Sequence, residues 1–114
     1  WVNLHLTFLL TSDYRTAKRT LRTFAQALLP NGQVPGCAPA WLRKPHEDFT
    51  LLWLIAVRDY WAYTGDREFV AEMWPTVQRI WQSESWRAGE SGLWDLNHHR
   101  AFFDWGCLAS ERSG

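Results

Sequence analysis

The sequence DFTLLWLIAVRDYWAYTGDREFVAEMWPTVQRIW, residues 48–81, decides the fold of this chain. Residues 49–63 leave almost no polar stripe, and the run is too long for one β-strand. A helix that is apolar on nearly every side is typical of a buried helix. The tripeptide Thr64-Gly65-Asp66 then predicts a turn that ends this helix at its glycine and caps the next helix at its aspartate.

The helix that follows this turn has an apolar stripe at helical spacing. The members of the stripe are Phe69, Met73, Val77, Ile80 and Trp81. The pattern predicts a helix that continues to about Trp86. Pro75 falls inside it and predicts a kink or a restart, because proline removes one backbone hydrogen bond from a helix.

A similar amphipathic pattern lies upstream and predicts a helix over residues 14–28. Its apolar side chains are Tyr14, Ala17, Leu21, Phe24, Ala25 and Leu28. Thr11-Ser12-Asp13 supplies a helix-start signal before it, and we interpret the basic residues within 15–22 as a solvated face. Residues 1–10 are apolar enough to end an earlier helix, so residues 1–28 predict a helical hairpin.

The two turns belong to an internal repeat. Asp13 and Asp66 lie 53 positions apart, and each begins an amphipathic helix that leads to a glycine turn, at 31–34 and at 91–94. Repeated hairpins stack because one hairpin cannot bury its own apolar face. The predicted fold class is therefore all-α, with residues 1–114 forming about two helical hairpins of an incomplete α/α toroid. The long loops at 29–47 and 87–114 favour a functional role.

Composition narrows the classes of function. Twelve Lys and Arg balance twelve Asp and Glu in 114 residues, which argues against a nucleic-acid binder and against a polybasic membrane-surface domain. No apolar run approaches the roughly 20 residues that span a bilayer, and no targeting segment is visible, so the compartment stays open. Nine tryptophans are many for a small domain, and we expect some to line a groove or a contact, with an aromatic-rich core as the alternative.

Two aspartates are candidate ligands for a polar molecule. Asp48 begins the apolar helix, where it either caps the helix or binds a ligand at the mouth of the toroid, and both roles can hold. Asp104 lies within Phe102-Phe103-Asp104-Trp105-Gly106, and a carboxylate among aromatic rings needs a partner. A carboxylate beside an indole ring is a combination that sugar sites use. The alternative for Asp104 is a buried cap of a further helix.

Other reactive side chains give weaker signals. No cysteine or carboxylate completes a metal-ligand spacing around His98-His99, so we expect no metal. Cys37 has no base placed beside it by the sequence, and we interpret it as a small buried hydrophobic residue; whether it meets Cys107 stays open. Glycine-rich phosphate loops, nucleophile elbows and dinucleotide motifs are missing from the sequence, so we expect no cofactor.

The order of these motifs resembles the catalytic domain of bacterial α-L-rhamnosidases, glycoside hydrolase family 78. The matching pieces are Ser12-Asp13-Tyr14, residues 29–36 (LPNGQVPG), Ala38-Pro39, residues 48–60, Tyr63-Thr64-Gly65-Asp66, Phe69-Val70, Trp74-Pro75, Gly92-Leu93-Trp94 and Phe103-Asp104-Trp105. The Thr-Gly-Asp and Asn-Gly-x-x-Pro pieces are common to several six-hairpin glycosidases. The final Asp-Trp pair, taken with the others, favours a rhamnosidase.

The resemblance implies an (α/α)6 barrel that hydrolyses α-L-rhamnosides with inversion and without a cofactor. It implies that Trp105 stacks on the sugar and that Asp104 and Asp48 are acids of the pocket or its rim. Many members have Trp-x-Asp where this sequence has His46-Glu47-Asp48. Neither the general acid nor the base of the family has a counterpart in the sequence, so we expect the 114-residue chain alone not to turn over glycosides.

Two alternatives to a rhamnosidase stay open at this point. One is a six-hairpin glycosidase that acts on another sugar, and the other is a non-catalytic helical-hairpin scaffold that binds a protein. The expected partner is a rhamnoside, without nucleic acid or membrane, and a homo-oligomer is compatible with the sequence.

Overall fold

The computed structural model describes residues 11–39 and 47–83, within which three α-helices lie. Helix α1 spans Tyr14–Gln26, helix α2 spans Glu47–Thr64, and helix α3 spans Arg67–Trp81. The prediction of an all-α fold is confirmed. Helices α2 and α3 form a hairpin, and α1 packs against both. The helix predicted before residue 11 and the loop predicted from residue 87 lie outside the described residues.

Helix α1 begins at the predicted cap. Asp13 is the N-cap residue, and its Oδ1 accepts a hydrogen bond from the backbone N–H of Arg15 at 3.1 Å. The helix ends at Gln26, two residues before the predicted end. The two buried residues of its apolar stripe are Ala17 and Leu21.

The predicted turn between α2 and α3 is also confirmed. Gly65 has a φ of 66°, a left-handed conformation that glycine adopts readily, and its N–H donates to the carbonyl of Trp61 at 2.8 Å. Asp66 then caps α3, with its Oδ1 accepting from the backbone N–H of Phe69 at 3.0 Å. Gly65 therefore ends α2, and Asp66 begins α3.

Helix α3 differs from the prediction in three respects. Of the kink or restart predicted at Pro75, the restart does not occur, since α3 continues through Pro75 as one helix. It ends at Trp81, with Gln82 as its C-cap, five residues before the predicted end. Trp81, a member of the predicted apolar stripe, is 76% exposed, because it stands about 100° around the helix from the buried Ile80.

One hydrophobic core joins the three helices. Its buried members are Ala17, Leu21, Val34, Trp53, Ala56, Val57, Tyr60, Phe69, Met73 and Ile80. Trp53 is fully buried at its centre, and its indole N–H donates to the backbone carbonyl of Leu21 at 3.1 Å. This hydrogen bond satisfies the polar group of the largest core side chain and fixes α2 against α1.

Helix α2 is buried on one side only, which corrects the prediction of a wholly buried helix. Its exposed apolar side chains are Leu51, Leu52, Ile55, Trp61 and Tyr63. We call Leu51, Leu52 and Ile55 the outer face of α2. The sequence pattern indicates that a helix face is apolar, but it does not indicate that another element covers that face. Among the described residues, only the face of α2 that meets α1 and α3 is covered.

Two cross-helix ion pairs set the direction of α1 relative to α3. Lys18 Nζ lies 2.8 Å from Asp66 Oδ2, and Arg22 lies 2.5 and 2.6 Å from the two carboxylate oxygens of Glu72. The later residue of α1 pairs with the later residue of α3, so α1 and α3 run parallel. Helix α2 runs antiparallel to both. Lys18 and Arg22 are partly exposed, as a solvated face requires, but their charges also pair with α3, which the sequence did not predict.

Candidate functional site

One end of the helical unit gathers the segments that the sequence associates with binding. Because α2 runs antiparallel to its neighbours, its first turn lies at the same end as the last turns of α1 and α3. The loop of residues 29–35 lies between them and is largely buried from Gly32 onward. We call this end, made of the loop, the first turn of α2 and the last turn of α3, the rim.

Internal hydrogen bonds close the loop. The N–H of Leu29 donates to the carbonyl of Gln33, and the N–H of Gly32 donates to the carbonyl of Leu29, both at 2.9 Å. The side chain of Asn31 accepts from the N–H of Gln33 at 3.1 Å and donates to its side-chain oxygen at 2.9 Å. A loop with this many local bonds has one preferred shape.

Two further contacts attach the loop to the helices. The backbone N–H of Val34 donates to the hydroxyl of Thr50 at 2.9 Å, and Thr50 is fully buried in the first turns of α2. Gly32 has a φ of 79°, and a Cβ there would lie 2.6 Å from the Cβ of Ser83 and 3.3 Å from the carbonyl of Arg79. Only glycine fits this approach to the end of α3, so the loop is held from both sides.

Asp48 lies at the rim, one residue inside α2. The helix begins at Glu47, so Asp48 belongs to the first turn and the N-cap interpretation is wrong. Its Oδ1 is buried and has no hydrogen-bond partner among the residues that the structure describes. A carboxylate in the first turn is favoured by the helix dipole, but a buried oxygen without a donor is unfavourable. Asp48 as a whole is half-buried, so part of its side chain remains in contact with solvent at the rim.

The direction of Asp48 follows from helix geometry. Residues four and seven positions further on share its side of the helix, and these are Leu52 and Ile55, which are 38% and 44% exposed. Thr50 lies about 200° around the helix from Asp48 and belongs to the core side. Asp48 therefore stands at the rim end of the outer face of α2.

The opposite end of the unit holds a cluster of charged and aromatic groups around Asp66. Its carboxylate accepts from Lys18 Nζ at 2.8 Å, from Phe69 N–H at 3.0 Å and from the Tyr60 hydroxyl at 2.9 Å. These hydrogen bonds, that of Lys18 first, lower the pKa of Asp66 to about 2. Burial and the hydrogen bond to Asp66 raise the pKa of Tyr60. Each donor of this cluster already forms a hydrogen bond with Asp66 within the fold, so we assign the cluster to helix packing.

The Phe69 ring is part of the same cluster. Lys18 and Arg22 lie 5.2 and 5.5 Å from its centroid, within cation–π range, and the Tyr60 ring meets it edge to face at 4.9 Å. The bond to Arg22 lowers the pKa of Glu72.

A shallow groove of about 360 Å³ lies beside this second end, lined by Trp61, Arg67, Val70, Ala71 and Trp74. Trp61 and Trp74 are each about half exposed. Trp61 stands 13 residues after Asp48, which is about 20 Å along a helix, so the groove is separate from the rim. The expectation that some tryptophans line a groove is met by these two, and Trp53 shows that others fill the core.

Several residues predicted from the sequence lie outside the described residues. They are Asp104, Trp105, His98, His99 and Cys107. Cys37 is described and is exposed, so its interpretation as a buried hydrophobic residue is wrong. Residues 11–39 and 47–83 contain no group of three side chains that could hold a metal ion. Within the same two ranges, no helix has the length and apolar character needed to cross a membrane.

Neither the role of Thr50 nor the contact of Gly32 with the end of α3 could be predicted from the sequence. The Asn-Gly-x-x-Pro piece predicts a turn, but the residues that the loop contacts lie on α2 and at the end of α3, far along the chain. Thr50 carries no local signal of this contact, because the contact depends on how the helices pack.

The comparisons with known proteins identify one family. The model of the bacterial alpha-L-rhamnosidase 6 hairpin glycosidase domain matches residues 4–113, nearly the whole chain. No curated protein and no solved structure matches the chain.

Proposed function

Because the chain belongs to the bacterial α-L-rhamnosidase six-hairpin glycosidase domain family, we propose that it is part of an enzyme that hydrolyses terminal α-L-rhamnosides. The observation that carries the proposal is the family match over residues 4–113, and the half-buried Asp48 at the rim, with a carboxylate oxygen that lacks a partner among the described residues, supports it. A sugar hydroxyl would supply the missing donor. Hydrogen bonds between hydroxyls and a carboxylate are stronger than those between neutral groups, so Asp48 would contribute to sugar affinity.

In this proposal Trp105 and Asp104 complete the sugar contacts. An indole ring covers the apolar face of a sugar, while a carboxylate accepts from its hydroxyls. The resemblance of Phe103-Asp104-Trp105 to the rhamnosidase pattern supports their assignment. The 114 residues then supply scaffold and part of the sugar pocket.

The proposed chemistry is inversion at the anomeric carbon. One carboxylic acid protonates the leaving oxygen while a carboxylate activates water on the opposite face of the ring. We place both groups in the full-length protein outside these 114 residues, so the chain alone is expected to leave aryl rhamnosides intact. Hydrolysis that depends on the chain alone would contradict this assignment.

The test of the substrate is a panel of aryl glycosides offered to the full-length protein. Selective cleavage of the aryl α-L-rhamnoside, with the β-anomer of rhamnose as the first product by NMR, is the expected result. Cleavage of another glycoside would indicate a six-hairpin enzyme for that sugar. Absence of cleavage throughout, with no change of tryptophan fluorescence on adding rhamnose, would favour the non-catalytic scaffold.

Replacing Asp48 tests the candidate site itself. We expect Asp48→Asn to raise KM by about tenfold or more, since a charge-assisted hydrogen bond is worth roughly 1.5–3 kcal/mol. Asp59→Asn is the matched control, because Asp59 is on the same helix and pairs with Arg58 at 3.6 Å. An equal effect of both substitutions would remove Asp48 from the site.

Trp105→Ala extends the same experiment to the aromatic contact. We expect it to lower kcat/KM by more than about tenfold, because a stacked ring is lost from the pocket. Trp74→Ala removes an indole that is about half exposed on α3, in the groove separate from the rim, and should leave kcat/KM unchanged. An unchanged rate in Trp105→Ala would exclude Trp105 from the sugar pocket.

A further inference from the structure

We infer that Thr50 is a positioning residue, which fixes the first turn of α2 so that Asp48 is correctly placed for the sugar. The inference rests on the proposed function and deepens it, because it explains how the rim is held in shape before substrate arrives. Thr50 itself is fully buried on the core side of α2 and therefore does not touch the substrate.

A buried hydrogen bond joins Thr50 to the loop of residues 29–35. Val34 N–H donates to the Thr50 hydroxyl at 2.9 Å, and Val34 is as fully buried as Thr50. Because both groups are buried, water cannot replace either partner when the bond is lost. The bond therefore couples the position of the loop to the position of the first turns of α2.

The other side of the loop is held by its contact with the end of α3. Gly32 is seated against Ser83 and the carbonyl of Arg79, where no Cβ fits. The loop carries its own hydrogen bonds and cannot shift toward α3. Thr50 thus connects α2 to a support that is anchored at the end of α3, and the three helix ends keep one arrangement.

The position of Thr50 determines the position of Asp48, because both residues lie in the first turns of α2. The two residues belong to the same turn of α2 but point about 200° apart, so they do not compete for one partner. Any tilt or slide of this turn moves the Asp48 carboxylate by a similar amount on the other side. Small displacements of a binding group reduce affinity strongly, so a fixed turn preorganises the site.

The experiment uses the full-length glycosidase and compares Thr50→Val with Thr50→Ser. Valine keeps the shape and removes the acceptor, whereas serine keeps the hydroxyl. We expect Thr50→Val to raise KM for the aryl α-L-rhamnoside by about tenfold with kcat changed less than about twofold, and Thr50→Ser to restore most of the affinity. A merely structural role would lower the melting temperature and leave the KM of the folded enzyme unchanged.

A double-mutant cycle with Asp48→Asn tests whether Thr50 acts through Asp48. If it does, Thr50→Val added to Asp48→Asn should raise KM by less than about twofold beyond Asp48→Asn alone. Full additivity of the two effects would overturn the inference. If Thr50→Val does not fold, Thr50→Cys takes its place, because the thiol is a weaker acceptor and should raise KM by a smaller factor.

The two proposals fail in different ways. An unmodified enzyme that cleaves no glycoside would overturn both. An active enzyme in which Asp48→Asn raises KM, while folded Thr50→Val keeps the unmodified value, would overturn the positioning role of Thr50 and leave the proposed function intact.

Discussion

At the scale of single residues, Asp66 joins all three helices. It caps α3 and accepts hydrogen bonds from Lys18 of α1 and Tyr60 of α2. Its pKa in the fold is about 2, below the ordinary 3.8, so its carboxylate stabilises the fold above about pH 4. That contribution is lost as the pH falls from about 4 through 2.

We therefore expect acid to destabilise the unmodified chain more than Asp66→Asn between pH 4 and 2. Urea unfolding followed by circular dichroism at each pH measures the difference. Asparagine keeps the cap and removes the titrating carboxylate, so the variant isolates the charge. Glu68→Gln, at an exposed acid of the same first turn, should retain the pH dependence of the unmodified chain. Identical pH dependence in the unmodified chain and Asp66→Asn would contradict the expectation.

Two glycines with positive φ allow a second test at this scale. Gly65→Ala places its Cβ in open space and should cost about 1–2 kcal/mol of unfolding free energy, the strain of the left-handed backbone. Gly32→Ala meets Ser83 as well and should cost at least about 1 kcal/mol more, because overpacking adds to the strain. Thermal or urea unfolding of both variants measures this. Equal losses would mean that the loop moves away from α3 easily.

At the scale of helices, Pro75 is a weak point of α3. It is exposed and lies inside the helix, where the carbonyl of Ala71 lacks the N–H that another residue would provide. We expect Pro75→Ala to raise the unfolding free energy by about 1–3 kcal/mol, measured by urea denaturation. Gln78→Ala, at an exposed position of the same helix, should change it by less than about 0.5 kcal/mol. A loss of stability in Pro75→Ala would show that the ring packs against a neighbour.

The helices show which features of the fold can be predicted from the sequence and which cannot. Asp13, Gly65 and Asp66 could be predicted as helix ends because capping depends on residues within four positions. The partners of Lys18 and Arg22 could not, because they lie 48 and 50 residues away on another helix. For the site, Asp48 follows from its position at a helix start. The bond from Val34 to Thr50 has no local signal, because it depends on how the helices pack.

At the scale of the whole molecule, the exposed apolar side chains are unevenly distributed. The outer face of α2 and the indoles of Trp74 and Trp81 leave apolar surface in contact with solvent. Contiguous exposed apolar surface favours association. We therefore expect the 114-residue chain to associate with itself as its concentration rises, in sedimentation velocity experiments.

Ile55→Lys should weaken that association, because it places a charge within the outer face of α2. Gln78→Lys adds the same charge on α3 and serves as the control. Circular dichroism should show both variants folded, since neither side chain belongs to the core. Association that Ile55→Lys does not change would assign it to another surface.

The seating of Gly32 against the end of α3 has a consequence for the order of events during synthesis. The loop is translated before α2 and α3, yet its support at Ser83 does not exist until α3 has been made. Helices and their short turn form from local contacts, whereas this contact must wait for residues far along the chain. The rim that carries Asp48 therefore cannot become ordered until residue 83 has been synthesised, whereas the turn at Gly65 and Asp66 depends on local contacts alone.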